Sequence, residues 1–181
     1  GYRVFASARN NNDVDKIKAL GFESLLLDLS SSDSINDAIS ELYQKTDSIY
    51  ALINNGAYGQ AGALEDISRY ALEKQFQVNV FGWHELTNLV LSKMRIEDVG
   101  RVIYISSVLG FVAMPFRCPY IASKFAIDGL VDALRMELSN KNIKFSLIQP
   151  GPIESKFRAN AYLAFKENVD SSQSNSKEQY Y

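Results

Sequence analysis

The amino-acid sequence predicts the α/β class, with a doubly wound parallel sheet in a three-layer α/β/α arrangement. Five short apolar runs alternate with longer segments of helical periodicity. Strands of a parallel sheet have such continuous apolar runs because helices cover both faces of the sheet. Polar or turn residues follow each of the five runs, and open parallel sheets bind their ligands at this carboxyl edge. The pattern therefore predicts a binding or catalytic domain.

The first half of the chain predicts three strands and two helices. In order they are a strand at 2–8, a helix at 13–20, a strand at 25–27, a helix from 30–34 to about 46, and a strand at 50–53. Asparagines 10–12 can cap the first helix and Gly21 can end it. Serines within 30–34 can cap the second helix, in which Ile35, Ile39 and Leu42 keep helical spacing.

The second half predicts a long helix at 68–94, a strand at 101–105, a helix that ends near 140, and a strand at 144–148. A weaker helical pattern follows at 155–165, so residues 1–165 form the predicted domain. Residues 166–181 include the polar stretch 170–177 and are expected to be a mobile tail of a substrate-covering segment. The chain starts with Gly1 almost inside a strand, and we expect it to be a piece of a longer polypeptide.

Composition excludes several classes of function. The 181 residues carry a net charge of −2, so there is no basic surface for nucleic acid. One cysteine and one histidine cannot make a metal site, and a single cysteine cannot form an internal disulfide. The sequence contains no run of about 18 apolar residues, so it predicts no membrane-spanning helix. These features predict a cytoplasmic protein with a small-molecule partner.

Three polar side chains are predicted to meet at one edge of the sheet. Tyr120 and Lys124 are four residues apart at the start of a helical pattern, so the phenol and the ammonium share one face. The buried strand at 101–105 ends at Ser106 and Ser107, which places two hydroxyls at the same edge. Each residue alone would be an ordinary surface or packing residue. The combination predicts a site for proton transfer.

Five motifs together resemble the short-chain dehydrogenase/reductase family, over nearly the whole chain. They are Asn55-Gly56-Ala57, Asn79 within a helix, Ser107 placed 13 residues before Tyr120, the Tyr120-x-x-x-Lys124 signature, and Pro150-Gly151-Pro152-Ile153. The resemblance implies a Rossmann-like fold and an oxidoreductase that moves a hydride between NADP(H) and a carbonyl or alcohol carbon. Within the family, the chain most resembles an NADP-preferring member of the carbonyl or hydroxysteroid type. The family's first strand and Gly-rich turn are expected before Gly1.

The resemblance also implies roles for the catalytic residues. Tyr120 would be the general acid, and Lys124 would lower the pKa of its phenol, since a nearby cation favours the phenolate. Ser107 would hold the substrate oxygen. Asn79 would hold a water that connects Lys124 to solvent.

The cofactor would be held by a second group of residues. It comprises Arg9, Asp28, Leu29, Asn55, Tyr120, Lys124, Gly151 and Ile153. A guanidinium matches a 2′-phosphate, so Arg9 favours NADP(H), with NAD(H) possible.

The sequence also predicts the kind of substrate and the oligomeric state. An apolar substrate site is predicted from five residues, Met114, Phe116, Phe157, Tyr162 and Phe165. By resemblance the long helix and the helix after Tyr120 would form the interface of a homodimer or homotetramer.

Two alternative functions stay open. The first is a dinucleotide-binding sensor or structural subunit without turnover. The second is a nucleotide-sugar epimerase or dehydratase, although the longer substrate domain of such relatives is not visible.

Overall fold

The computed structural model describes residues 1–180 as parallel strands connected by helices. The strands are β1 (Phe5–Ala8), β2 (Glu23–Leu26), β3 (Ala51–Asn54), β4 (Gly100–Ile105) and β5 (Ile143–Ile148). The α-helices are α1 (Asn11–Ala19), α2 (Ser32–Lys45), α3 (Arg69–Phe76), α4 (Gly82–Glu97), α5 (Cys118–Glu137) and α6 (Phe157–Asn168). All of them correspond to predicted elements with ends shifted by a few residues, and α3 and α4 together correspond to the predicted long helix at 68–94.

All strand pairs are parallel, and the strands form two groups. β1 pairs with β2, and β4 lies between β3 and β5. The predicted α/β class and Rossmann-like fold are confirmed. The sequence predicted one continuous sheet, whereas within residues 1–180 neither β1 nor β2 is paired with β3. The outer side of β3 is accordingly open, and Ile53 is 58% exposed although its strand is apolar.

Local sequence explains where the helices begin. The Asn10 side chain accepts a hydrogen bond from the Asp13 backbone N–H (2.9 Å), and Ser31 caps α2 in the same way. Pro119 lies in the first turn of α5, where its missing N–H costs no helical hydrogen bond. These caps place the amino ends of the helices next to the carboxyl ends of the strands that precede them.

The predicted long helix at 68–94 is observed as α3 and α4, which a π-helical turn joins into one helical run. This turn, Gln77–Phe81, contains Asn79, and Gly82 follows it. A Cβ added at Gly82 would lie 2.1 Å from the Leu29 carbonyl oxygen, so the helix can approach the β2–α2 connection only with glycine there. π-Turns inside helices are frequent at functional sites.

The hydrophobic core lies between β4, β5, α4 and α5. It is built largely from fully buried apolar residues, among them Trp83, Val90, Met94, Val102, Ile127, Val131 and Ile143. Burying one large apolar side chain stabilises the folded state by about 1.5–3 kcal/mol. This core therefore holds α5 against the sheet. No helix in the described part of the chain combines the length and apolar character needed to cross a membrane.

The segment after residue 165 is packed against the rest of the fold. α6 continues to Asn168, so no element ends at the predicted boundary at residue 165. The Tyr180 ring contacts Phe116 (centroids 5.6 Å apart) and Phe165 (4.9 Å), and its hydroxyl bonds to Asp66. The polar composition of 170–177 predicted a mobile tail, but it did not reveal this aromatic anchor. Tyr181 lies outside the described residues.

Candidate active site

Tyr120 and Lys124 lie on one face of α5, as their spacing predicts. The Lys124 Nζ atom is 5.5 Å from the centre of the Tyr120 ring and 4.3 Å from that of Trp83. Only 1% of Lys124 is exposed, and its ammonium donates a hydrogen bond of 2.8 Å to the Ile105 carbonyl oxygen at the end of β4. The ammonium is thus held at the carboxyl edge of the sheet.

The two serines that follow β4 have different surroundings. Ser107 is nearly buried and its hydroxyl accepts a hydrogen bond from the Leu109 backbone N–H (3.1 Å), which caps a short 3₁₀ turn. It also lies close enough to the Tyr120 phenol to favour the phenolate. Ser106 instead donates to Asp128. Of the two hydroxyls, Ser107 is therefore the one that faces the candidate acid.

Burial dominates the ionisation of both reactive groups. It raises the pKa of Tyr120 above its ordinary value, and the nearby Ser107 hydroxyl opposes this shift. It lowers the pKa of Lys124 to about 7, opposed by the negative charge of Asp128. The sequence predicted a lowered Tyr120 pKa caused by Lys124. That direction is wrong in this structure because desolvation of the phenolate outweighs nearby stabilising groups.

A cavity of about 630 Å³ brings most of the predicted site together. Six predicted residues line it, namely Asn55, Ser107, Tyr120, Lys124, Gly151 and Ile153. Its volume is within the range of cavities that bind small molecules and cofactors. The cavity opens beyond the ends of β3, β4 and β5, where an open parallel sheet is expected to bind its ligand. In residues 1–180 no group of three or more His, Cys, Asp or Glu side chains could hold a metal ion.

Asn79 is fully buried beside the cavity and is already hydrogen-bonded within the protein. Its amide oxygen accepts from the Tyr58 N–H (2.8 Å), and its amide nitrogen donates to the Tyr58 carbonyl (2.9 Å) and the Ser123 hydroxyl (3.2 Å). Both amide hydrogens are therefore used. Any water held by Asn79 must bind another of its atoms, and the side chain serves to fix the loop after β3.

The three remaining predicted residues lie away from the cavity, at the ends of β1 and β2. Arg9 is exposed just after β1. The Asp28 carboxylate accepts hydrogen bonds from the Ser30 N–H (2.9 Å) and hydroxyl (2.6 Å), ahead of α2. A Cβ at Gly56 would lie 3.1 Å from the Leu29 side chain, so Leu29 is packed against the turn that carries Asn55.

Several cavity residues could not be predicted from local spacing. Phe157 at the start of α6 packs on the Tyr120 ring, with centroids 5.2 Å apart. Gln60, Arg117, Ser155 and Arg158 also line the cavity. Of the five residues predicted for an apolar substrate site, Met114 and Phe157 line it. Phe116 and Phe165 contact Tyr180 instead, and Tyr162 is 56% exposed.

The family of the chain follows from comparison with known proteins. A family model described as short chain dehydrogenase matches residues 1–164. The chain belongs to this family. Among similar proteins, the uncharacterized oxidoreductase YbbO of Escherichia coli K12 is 42% identical over 161 residues, which are 88% of this chain and 60% of YbbO. Human retinol dehydrogenase 8 is 33% identical over 163 residues, 86% of this chain and 51% of that protein. The chain thus spans a little over half the length of these relatives.

Two solved structures share the fold of this chain. A short-chain dehydrogenase from Streptomyces avermitilis superposes with a TM-score of 0.79 at 28% identity, covering 84% of this chain and 57% of that one. A gluconate 5-dehydrogenase from Burkholderia cenocepacia, solved with NADP and tartrate, superposes with a TM-score of 0.79 at 20% identity. That match covers 99% of this chain and 69% of the other.

Proposed function

We propose that this short-chain dehydrogenase transfers a hydride between NADP(H) and the carbonyl or alcohol carbon of a small, apolar substrate. The observation that carries the proposal is the cavity at the sheet edge, in which Ser107, Tyr120 and Lys124 share one lining. An acid, a cation and a hydroxyl at one apolar cavity are the groups that carbonyl reduction needs.

Each residue has a distinct task in the reduction. The nicotinamide, when bound, supplies the hydride to the carbonyl carbon. Tyr120 donates its proton to the carbonyl oxygen, and Ser107 donates a hydrogen bond that positions that oxygen. Lys124 has a pKa of about 7, so it can exchange protons near neutral pH and return one towards the phenolate. Asn79 supports this arrangement by holding the loop at Tyr58.

The residues present fit a nicotinamide dinucleotide. Asn55, Gly151 and Ile153 line the cavity beside Tyr120 and Lys124 and would hold the nicotinamide end. Arg9, Asp28 and Leu29 would hold the adenosine end. No carboxylate in residues 1–180 pairs with Arg9 in a salt bridge, so its exposed guanidinium is available for a 2′-phosphate. This supports NADP(H) over NAD(H).

The apolar part of the cavity wall supports the proposed substrate class. Apolar side chains supply most of the lining next to the reactive groups, namely Leu109, Val112, Met114, Ile153, Phe157 and Ala161. Such a wall favours a hydrocarbon-rich carbonyl compound, because burying apolar surface contributes about 25 cal/mol per Å². The relative named retinol dehydrogenase 8 supports this class.

A homodimer or homotetramer formed through α4 and α5 is part of the proposal. Large apolar side chains are exposed on and beside these helices, with Phe81 52%, Phe125 46% and Met136 72% exposed. Exposed apolar surface of this kind is typical of association sites. Light scattering during gel filtration gives the oligomeric mass, and a monomer would contradict this part.

The test is NADPH oxidation at 340 nm by the full-length protein with a series of alkyl and aryl aldehydes and ketones. We expect carbonyl-dependent oxidation with preference for the apolar compounds. Binding of NADPH without turnover on any carbonyl would favour the sensor or structural subunit instead. The variant Arg9→Asp should shift the ratio of kcat/KM values towards NADH, because the carboxylate repels the 2′-phosphate. An unchanged ratio would contradict the role of Arg9.

A further inference from the structure

Asp128 connects three elements at the carboxyl edge of the sheet. It lies on α5, one turn after Lys124, and is half-buried. One carboxylate oxygen accepts a hydrogen bond from the Ser106 hydroxyl after β4 (2.5 Å), and the other accepts one from the Gln149 amide after β5 (2.5 Å). A Cβ added at Gly110 would lie 2.5 Å from the second oxygen, so the 3₁₀ turn packs directly on the carboxylate.

These contacts flank the groups of the proposed reaction. Ser106 immediately precedes Ser107, and Gln149 precedes the Pro150–Gly151 turn that lines the cavity. Hydrogen bonds to an ionised carboxylate are stronger than those between neutral groups. The two bonds to Asp128 therefore fix the ends of β4 and β5 relative to α5, and with them the Ser107 hydroxyl.

Asp128 is also the charged group that acts on Lys124. Residues four apart on a helix are neighbours, and the carboxylate favours the protonated form of the buried amine. The other groups around the Lys124 Nζ atom are the rings of Trp83 and Tyr120 and the Ile105 carbonyl. Neither ring carries a negative charge while Tyr120 is protonated. The negative charge of Asp128, one helical turn away, therefore partly offsets the cost of burying this ammonium.

We propose that Asp128 is a positioning residue that holds Ser107 and the Gly151 turn in place and favours the charged form of Lys124. The proposal rests on the proposed function for its catalytic consequence. The effect of the Asp128 charge on the pKa of Lys124 can be measured without turnover. A merely structural role would require the two hydrogen bonds but not the negative charge.

The decisive comparison is Asp128→Asn with Asp132→Asn. Asp132 is on the same helix, 65% exposed and paired with Arg135, so its variant removes the same charge away from the cavity. The pKa of Lys124 is read from its ¹³Cε chemical shift in ¹³C-lysine-labelled full-length protein, and the signal is assigned with Lys124→Met. We expect Asp128→Asn to lower this pKa by about one unit, and Asp132→Asn to leave it unchanged. An equal pKa in wild type and Asp128→Asn would overturn the proposal.

Turnover gives the second readout. If Lys124 must be protonated, a fall of about one unit in its pKa lowers kcat/KM about tenfold at pH 8 and has little effect at pH 5. Ser106→Ala, which loses a hydrogen bond but keeps the charge, should lower kcat without moving the pH profile. If Asp128→Asn lowers kcat/KM equally at every pH and does not shift the pH profile, the electrostatic role is contradicted.

Asp128→Glu keeps the test decisive if Asp128→Asn does not fold. The longer side chain retains the charge, so the proposal requires the pKa of Lys124 to stay near its wild-type value. A pKa that falls in Asp128→Glu would overturn the proposal. A protein that does not oxidise NADPH with any carbonyl would refute the proposed function, while the lysine titration would still decide the role of Asp128.

Discussion

Replacing Lys124 by methionine should change how the stability of the protein depends on pH. Burial lowers the pKa of this lysine from 10.5 to about 7 in the folded state, whereas the unfolded chain keeps the ordinary value. The unfolded state therefore binds more protons between these two values, and the free energy of unfolding rises with pH there. Well below pH 7 both states are protonated, so the full cost of burying the ammonium is present.

The size of the rise follows from the two pKa values. One pKa unit corresponds to about 1.4 kcal/mol, and from about pH 6 to about pH 9.5 the linkage relation gives a rise of about 3 kcal/mol. The pKa values of Tyr58, Tyr104 and Tyr120 are raised above 10, so these residues affect stability only at higher pH. Lys124→Met has no titrating group and should lack this rise.

Urea unfolding followed by tryptophan fluorescence measures the effect. Trp83 is the single tryptophan, is fully buried and lies against Lys124, so its emission reports loss of the core around the site. Lys144→Met, at an exposed position of β5, is the matched control and should keep the wild-type pH dependence. A flat wild-type profile, or an equal rise in Lys124→Met, would refute the lowered pKa of Lys124.

Two further predictions concern packing beside the site. Gly82→Ala places a Cβ 2.1 Å from the Leu29 carbonyl oxygen and should lower the free energy of unfolding by about 1–3 kcal/mol or more in urea titrations. Gly129→Ala, with no atom within 4 Å of its Cβ, should raise it by about 0.5–1 kcal/mol, and equal effects of the two changes would contradict this account. Phe157→Ala removes the ring packed on Tyr120 and should raise KM for apolar carbonyls several-fold, whereas an unchanged KM would exclude Phe157 from the substrate wall.

Much of the site could be predicted because its residues depend on short-range geometry. The spacing of Tyr120 and Lys124 fixes a shared helical face, and the end of an apolar strand fixes the edge at which Ser107 lies. The same reasoning predicted the strands and most helices. Geometry over a few residues is therefore sufficient to predict this part of the molecule.

The remainder depends on contacts between distant segments. The π-turn at Asn79 lies inside a run that is apolar and helical on both sides, so the periodicity predicted one regular helix and did not locate the turn. The packing of Phe157 on Tyr120 and the anchoring by Tyr180 join residues far apart in sequence. The pKa of Tyr120 depends on burial, which motif spacing does not determine. These features required the tertiary structure.

The central claim is that the Tyr120 phenol donates the proton that accompanies hydride transfer. Its most direct test is a single-turnover measurement of NADPH oxidation by full-length protein carrying Tyr120→Phe, with an apolar aldehyde in excess. The account predicts that the rate of the hydride-transfer step falls by at least about a hundredfold, the typical contribution of general acid catalysis, while NADPH binding is retained. A wild-type rate in Tyr120→Phe would contradict it.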